Sequence, residues 1–169
     1  LYCVDEIGEY MELNITGPAT DNQREMITRA VDFFLGLLMT QKLKQNLYID
    51  LELAKRLEDR EGVCGDATWE DDNCRPKEFS VRVHWDGKKD FAKTLETIAH
   101  ELVHVKQFAR GEMKDLLSVQ KVSWCGKRYD RAEVDYWDLP WEVEAHGREK
   151  GLFVRLCEAD PEISKYCGY

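Results

Sequence analysis

Two histidines four residues apart, with a glutamate beside the first, form the run His100-Glu101-Leu102-Val103-His104. In a helix, positions i and i+4 share one face, so both imidazoles can be presented to a single metal ion. Glu101 is displaced by about 100° around the axis, where it reaches a water beside such an ion without ligating it. Neutral nitrogen ligands at this spacing suit zinc, Zn(2+), and the adjacent carboxylate suits a general base. The expected chemistry is hydrolysis, with a peptide or protein as substrate and Glu101 as the catalytic group.

A catalytic zinc takes three protein ligands and leaves a fourth position open. The segment Trp141-Glu142-Val143-Glu144-Ala145-His146 offers three candidates for the third. Glu142 and His146 share a helical face, while Glu144 points elsewhere. Glu142 as ligand places His146 one turn later, where it can orient a ligand or meet substrate. Glu144 and His146 stand as the alternative third ligands. The developing oxyanion needs a further donor, and Tyr129, Tyr136 and His146 are the candidates nearest this segment in sequence. Against these stand plainer readings: Trp124, Trp137 and Trp141 as core or cleft wall rather than a binding platform, and His84 as a structural residue at a strand end.

The elements that must position these residues follow from periodicity. Tyr10 to Ile15 alternates, with Met11, Leu13 and Ile15 on one face, which predicts a strand ended by Gly17-Pro18. Thr20 and Gln23 have capping-box spacing and open a helix with Met26, Ile27, Ala30, Val31, Phe34, Leu37 and Leu38 inside. Leu47 to Leu53 predicts a second strand, and Phe79 to Trp85 a third before a turn at Asp86-Gly87. Between them, Arg60 to Lys77 is rich in Gly, Asp, Asn and Pro and reads as a long loop. Its acidic cluster, Asp66, Glu70, Asp71 and Asp72, lacks the calcium-loop pattern. The motif helix is expected over about Phe91 to Ala109, with Gly111 ending it. A hairpin over Val119 to Tyr129, turning at Cys125-Gly126, follows, and Pro140 opens a second long helix at its favoured first position. Strands and helices alternate without regular βαβ units, so the fold class expected is α+β.

The chain has 169 residues, the size of one domain. A net charge of −9 argues against nucleic acid as a partner, because phosphate binding needs a basic surface. Lys42, Lys44, Lys88, Lys89 and Lys93 are candidates for a local basic patch, and solvated lysines around loops are the plainer reading. The longest apolar stretch, around Val31 to Met39, is too short to span a membrane. Six cysteines occur without a C-x-x-C pair. The matched spacings Cys64/Cys74 and Cys157/Cys167 fit loop-closing disulfides in an oxidising compartment or free thiols in a cytosolic one. Composition leaves oligomeric state open.

His100-Glu101-Leu102-Val103-His104 followed by Pro140-Trp141-Glu142-Val143-Glu144-Ala145 resembles the zincin metallopeptidases of the gluzincin type, over residues 79 to 155. The order of small sheet, motif helix, hairpin and glutamate helix is similar to the compact, SprT-like or minimal-gluzincin proteins common in phages and bacteria. The resemblance implies one zincin-like domain over residues 1–169, a small mixed sheet packed on the motif helix, and zinc held by His100, His104 and Glu142. It implies Ala145 as a small packing residue and His146 in the polar slot, where Asp or Asn is more usual. The extended metzincin pattern is not met, since Gln107 and Arg110 occupy its Gly and His positions. A cytoplasmic location is expected (host-cell cytoplasm for a phage protein), with secretion left open by the six cysteines and a start at Leu1. The competing function is a zinc-containing binding or regulatory module on the same fold that does not cleave. A third is a domain in which His100 and His104 are ordinary core-edge histidines.

Overall fold

Alternating burial along one strand shows how the main sheet is built. In β2 (Tyr48–Ala54), Ile49, Leu51 and Leu53 are buried while Glu52 faces solvent. The computed structural model describes residues 11–116 and 121–169, and places β2 in a four-stranded sheet. Its other members are β1 (Glu12–Thr16), β3 (Gly65–Trp69) and β4 (Glu78–His84), in the order β1-β2-β4-β3. β1, β2 and β4 are parallel, with Leu51 opposite both Ile15 and Val81, and β3 runs antiparallel at the edge.

Parallel neighbours need a crossover, and α1 (Asp21–Leu38) supplies it between β1 and β2. This is a βαβ unit, which the expectation of irregular alternation missed. Thr20 and Gln23 form the full capping box. The buried stripe runs Met26, Ile27, Ala30, Val31, Phe34, Leu35 and Leu38; Leu37 is 45% exposed, because the stripe passes through Leu35 instead. Lys44, in the short helix α2 (Gln41–Lys44), is buried against Asp32 at 2.6 Å and so leaves any basic surface patch. The side chain of Lys88 lies outside the described residues, as do Tyr10 and Cys3.

The expected long loop is corrected by two elements, α3 (Leu57–Glu61) and β3. The Gly-Asp-Ala-Thr-Trp strand alternates weakly, with Ala67 and Trp69 packed against the core, and pairing with β4 fixes it. Arg82 reaches across from β4 to bond both Asp66 and Glu61. Asp71 accepts from the Asn73 side chain and the Lys77 backbone, so these two members of the acidic cluster are engaged locally.

A short 3-10 turn (Gly87–Asp90) leads into α4 (Phe91–Ala109), which ends where Gly111 takes φ +69. From Thr97 to Ala109 every residue is buried, since α4 packs on α1, β3 and β4 and also on α5 (Pro140–Ala159). Between these helices stands an antiparallel sheet of β5 (Met113–Leu116), β6 (Lys121–Trp124) and β7 (Lys127–Asp130). The expected hairpin is β6-β7; β5 is an added strand, and Val119 and Gln120 lie outside the described residues. Cys125 and Gly126 both have positive φ, the requirement of a two-residue hairpin turn.

Pro140 occupies the start of α5. Trp141, 2% exposed, anchors that end, with Trp124 and Tyr129 of the hairpin sheet packed on its ring at 6.3 and 5.9 Å. The buried Lys106 ammonium on α4 meets Glu144 of α5 and Glu112 at 2.7 Å each, tying the two long helices together. Asp160 caps the last helix, α6 (Pro161–Cys167), by accepting from Glu162 and Ile163. Cys64, Cys74, Cys125, Cys157 and Cys167 are free thiols. Among the described residues no helix is long and apolar enough to cross a membrane. The fold class is α+β.

Candidate metal centre

α4 and α5 bring three side chains to one point. The Nε2 atoms of His100 and His104 lie 3.2 Å apart, and Glu142 Oε2 is 3.5 Å from each. Zinc bonds of about 2.0–2.1 Å in tetrahedral directions separate neighbouring ligand atoms by about 3.3 Å. The three observed edges fit that figure, and the donor set of two imidazoles and one carboxylate suits the same ion.

The protons around the centre are fixed by its neighbours. The Gln107 amide nitrogen donates to the Trp141 carbonyl and to Glu144, at 3.0 and 3.1 Å. Its oxygen is therefore turned to His104 Nδ1 at 2.8 Å, and the imidazole must donate there. His100 Nδ1 likewise donates to Glu149 Oε2 at 2.8 Å. With both Nδ1 atoms protonated, each ring turns Nε2 to the Glu142 carboxylate, offering a lone pair when neutral and a proton when charged. With both rings neutral, three lone pairs would converge in a buried site and call for a cation there; in the charged rings the imidazolium protons supply that positive charge. Burial lowers the pKa of His100, yet Glu142, Glu101 and Glu149 outweigh it and raise the group overall. Burial also works against the Glu142 anion, but His100, His104 and the Tyr136 hydroxyl hold its carboxyl well below the ordinary range.

Glu101, one residue on from His100, is 5% exposed. Burial pushes its carboxyl up to about 7, against the opposing pull of His104 and His100. Gly65 on β3 makes the space it occupies: a Cβ there would stand 2.6 Å from Glu101 Oε1 and 2.9 Å from Thr97 Cγ2. Gly65→Ala is accordingly expected to displace the carboxylate, and any hydrolysis that depended on Glu101 would fall by roughly 10²-fold with metal content unaltered. Full activity in this variant, measured beside metal content, would show that the position of Glu101 does not matter.

Each remaining candidate has a definite place. The Tyr136 hydroxyl donates to Glu142 Oε2 at 2.8 Å and lies 3.2 Å from His146 Nε2. The His146 ring stands 4.5 Å from that of His100, with Nδ1 3.4 Å from Glu149. His100, His146 and Glu149 thus form a second close group beside the first. Glu144 is occupied away from the histidines by Lys106, Gln107 and Arg148. Tyr129 lies edge-on to Trp141 under the hairpin sheet. His84 accepts from the Glu58 N–H at the end of β4, outside the cluster. Of the tryptophans expected as core or cleft wall, Trp141 is in the core and Trp137 is not. It sits on a 3-10 turn (Tyr136–Asp138) capped by Asp135 and is 67% exposed.

Sequence reading did not assign Gln107, Glu149 and Gly65 to the site. Gln107 follows His104 by three residues and Glu149 follows Glu142 by seven, so each shares a helical face with a ligand, a signal that was there to use. Gly65 carried none, since its role depends on β3 lying against α4. Zinc bound at the centre would be held roughly 10–100-fold more weakly in Gln107→Leu, as loss of a group that orients a ligand commonly does. Competition with a chromophoric chelator measures it, and unchanged affinity would remove Gln107 from this role.

No family model matches the chain, and no curated protein or solved structure matches it.

Proposed function

We propose that this chain is a zinc-dependent peptidase of the zincin type, with His100, His104 and Glu142 as ligands and Glu101 as general base. The observation that carries the reading is the triangle of 3.2, 3.5 and 3.5 Å between their donor atoms, with a buried carboxylate next to it. Zinc bound there would supply a Lewis acid that polarises a scissile carbonyl and lowers the pKa of water. Glu101 takes a proton from the attacking water and delivers it to the leaving amine. Glu149 and Gln107 keep the ligand histidines in the tautomer that offers Nε2. Tyr136 steadies Glu142 and brings a hydroxyl to the rim of the site.

The sheet supports a peptide substrate in particular. β3 is an edge strand beside Glu101, so an extended peptide can pair with its open side and pass the carboxylate. The test is metal analysis of the purified protein together with cleavage of unfolded casein. One zinc per chain and chelator-sensitive cleavage are expected. Absence of stoichiometric zinc after loading would sink the reading, and zinc without cleavage of any peptide would leave the metal-holding binding module.

A further inference from the structure

Three large apolar side chains are exposed on one side of the metal centre. Trp137 is 67%, Val143 55% and Tyr136 47% exposed. Exposed large apolar groups are individually ordinary, but a contiguous set beside a polar centre marks a contact surface. Tyr136 and Trp137 are in contact, and Val143 lies on the same helical face as His146, which Trp137 covers. The Trp137 ring lies against His146 at 4.9 Å with the planes inclined by 35°, and Tyr136 meets Trp137 at 5.2 Å. Val143 precedes His146 by three residues on α5 and so shares its face.

The patch is joined to the centre through two of its members. His146 stands ring to ring with His100 at 4.5 Å, and the Tyr136 hydroxyl is bonded to Glu142. The His146 ring touches both His100 and Trp137, so the indole is one ring removed from the centre, a distance that a side chain flanking a bound peptide bond can span. The indole is held from behind by His146 and its turn is capped by the Asp135 side chain, bonded to the Trp137 N–H at 3.0 Å. The exposed indole face is thus presented in advance, and little conformational entropy is lost when it is covered.

We infer that Trp137, with Tyr136 and Val143, forms a specificity platform that takes an apolar or aromatic substrate side chain flanking the scissile bond. The inference rests on the peptidase reading for its substrate and goes beyond it in naming what is selected. Trp137 is the specificity-determining residue, because it contributes the most exposed apolar surface. Packing of one side chain on such a surface separates substrates by roughly 10–200-fold.

The experiment measures binding without cleavage. Zinc-loaded Glu101→Gln protein is titrated calorimetrically with acetyl-Gly-Gly-Xaa-Gly-Gly-amide, where Xaa is Phe, Leu, Gly or Glu. Phe and Leu peptides are expected to bind at least about tenfold more tightly than the Gly peptide. Adding Trp137→Ala should erase the difference, and Trp137→Phe should keep most of it. Equal or undetectable binding of all four peptides overturns the platform, as does a Phe preference that survives Trp137→Ala. Trp137-dependent binding supports the platform even if the wild-type protein cuts none of the peptides, a result that would count against hydrolysis alone. Cleavage with no preference traceable to Trp137 overturns the platform and leaves the peptidase reading in place.

Discussion

Glu101→Gln is expected to lower peptide cleavage by roughly 10²–10⁴-fold while the protein still holds one zinc per chain. The substitution keeps the size of the side chain, which matters because Glu101 is buried against Thr97 and the space left by Gly65. It removes the one property the proposed reaction needs, the ability to take up a proton and return it. The ligands are separate side chains whose orientation comes from Glu149 and Gln107, so they stay in place. Turnover and metal content measured on the same preparation divide the outcomes. Undiminished cleavage would remove Glu101 as the base, and loss of zinc would make it part of the metal-holding structure.

Zinc itself should raise the thermal midpoint by roughly 8–16 °C, and Glu142→Ala should abolish that rise. A ligand present at a thousand times its dissociation constant stabilises the native state by about 4.1 kcal/mol. For a chain of this size each kcal/mol is worth roughly 2–4 °C. Glu144→Gln provides the contrast. It weakens the partner of the buried Lys106 and lowers the starting midpoint, yet the zinc-dependent rise should survive. His146→Ala should likewise keep the rise. Differential scanning fluorimetry with and without chelator reads all three. A rise that persists in Glu142→Ala but disappears in Glu144→Gln or His146→Ala would transfer the third ligand to that residue.

What could be read in advance was whatever neighbouring residues decide between themselves. The Thr20/Gln23 capping box and the span Phe91 to Ala109 depend on interactions within one turn or along one helical face, and both are found in the structure. β3 is hidden in the sequence because its short, weak alternation of Ala67 and Trp69 with Asp66 and Thr68 lies in a stretch rich in Gly, Asp, Asn and Pro, and Thr68 is its only β-branched residue. Its strand character comes from pairing with β4, an interaction that only the folded chain supplies. The βαβ unit was missed for a similar reason, since parallel pairing of β1 with β2 is a property of the sheet and of neither strand alone.

The candidate site divides along the same line. The spacing of His100, Glu101 and His104 carried their shared location, while helical position set Glu144 apart from Glu142 and His146 without choosing between those two. The coordinates put Glu142 at the histidines and Glu144 on Lys106. Trp137, expected in the core or as cleft wall, is outside the core, held at the surface by the turn after Asp135. Composition records how apolar a side chain is, but the backbone turn decides which way it faces.

The three-stranded sheet between α4 and α5 gives the centre a topological meaning. His104 and Glu142 are separated by about 40 residues of chain, so an ion held by both closes a large ring in the covalent backbone. By the chain-entropy account used for disulfides, such a closure restricts the unfolded chain by about 4 kcal/mol. A metal tether of this kind is reversible, and chelation would undo it as reduction undoes a disulfide. While it holds, cutting the chain within β5, β6 or β7 would leave the two long helices joined through their ligands.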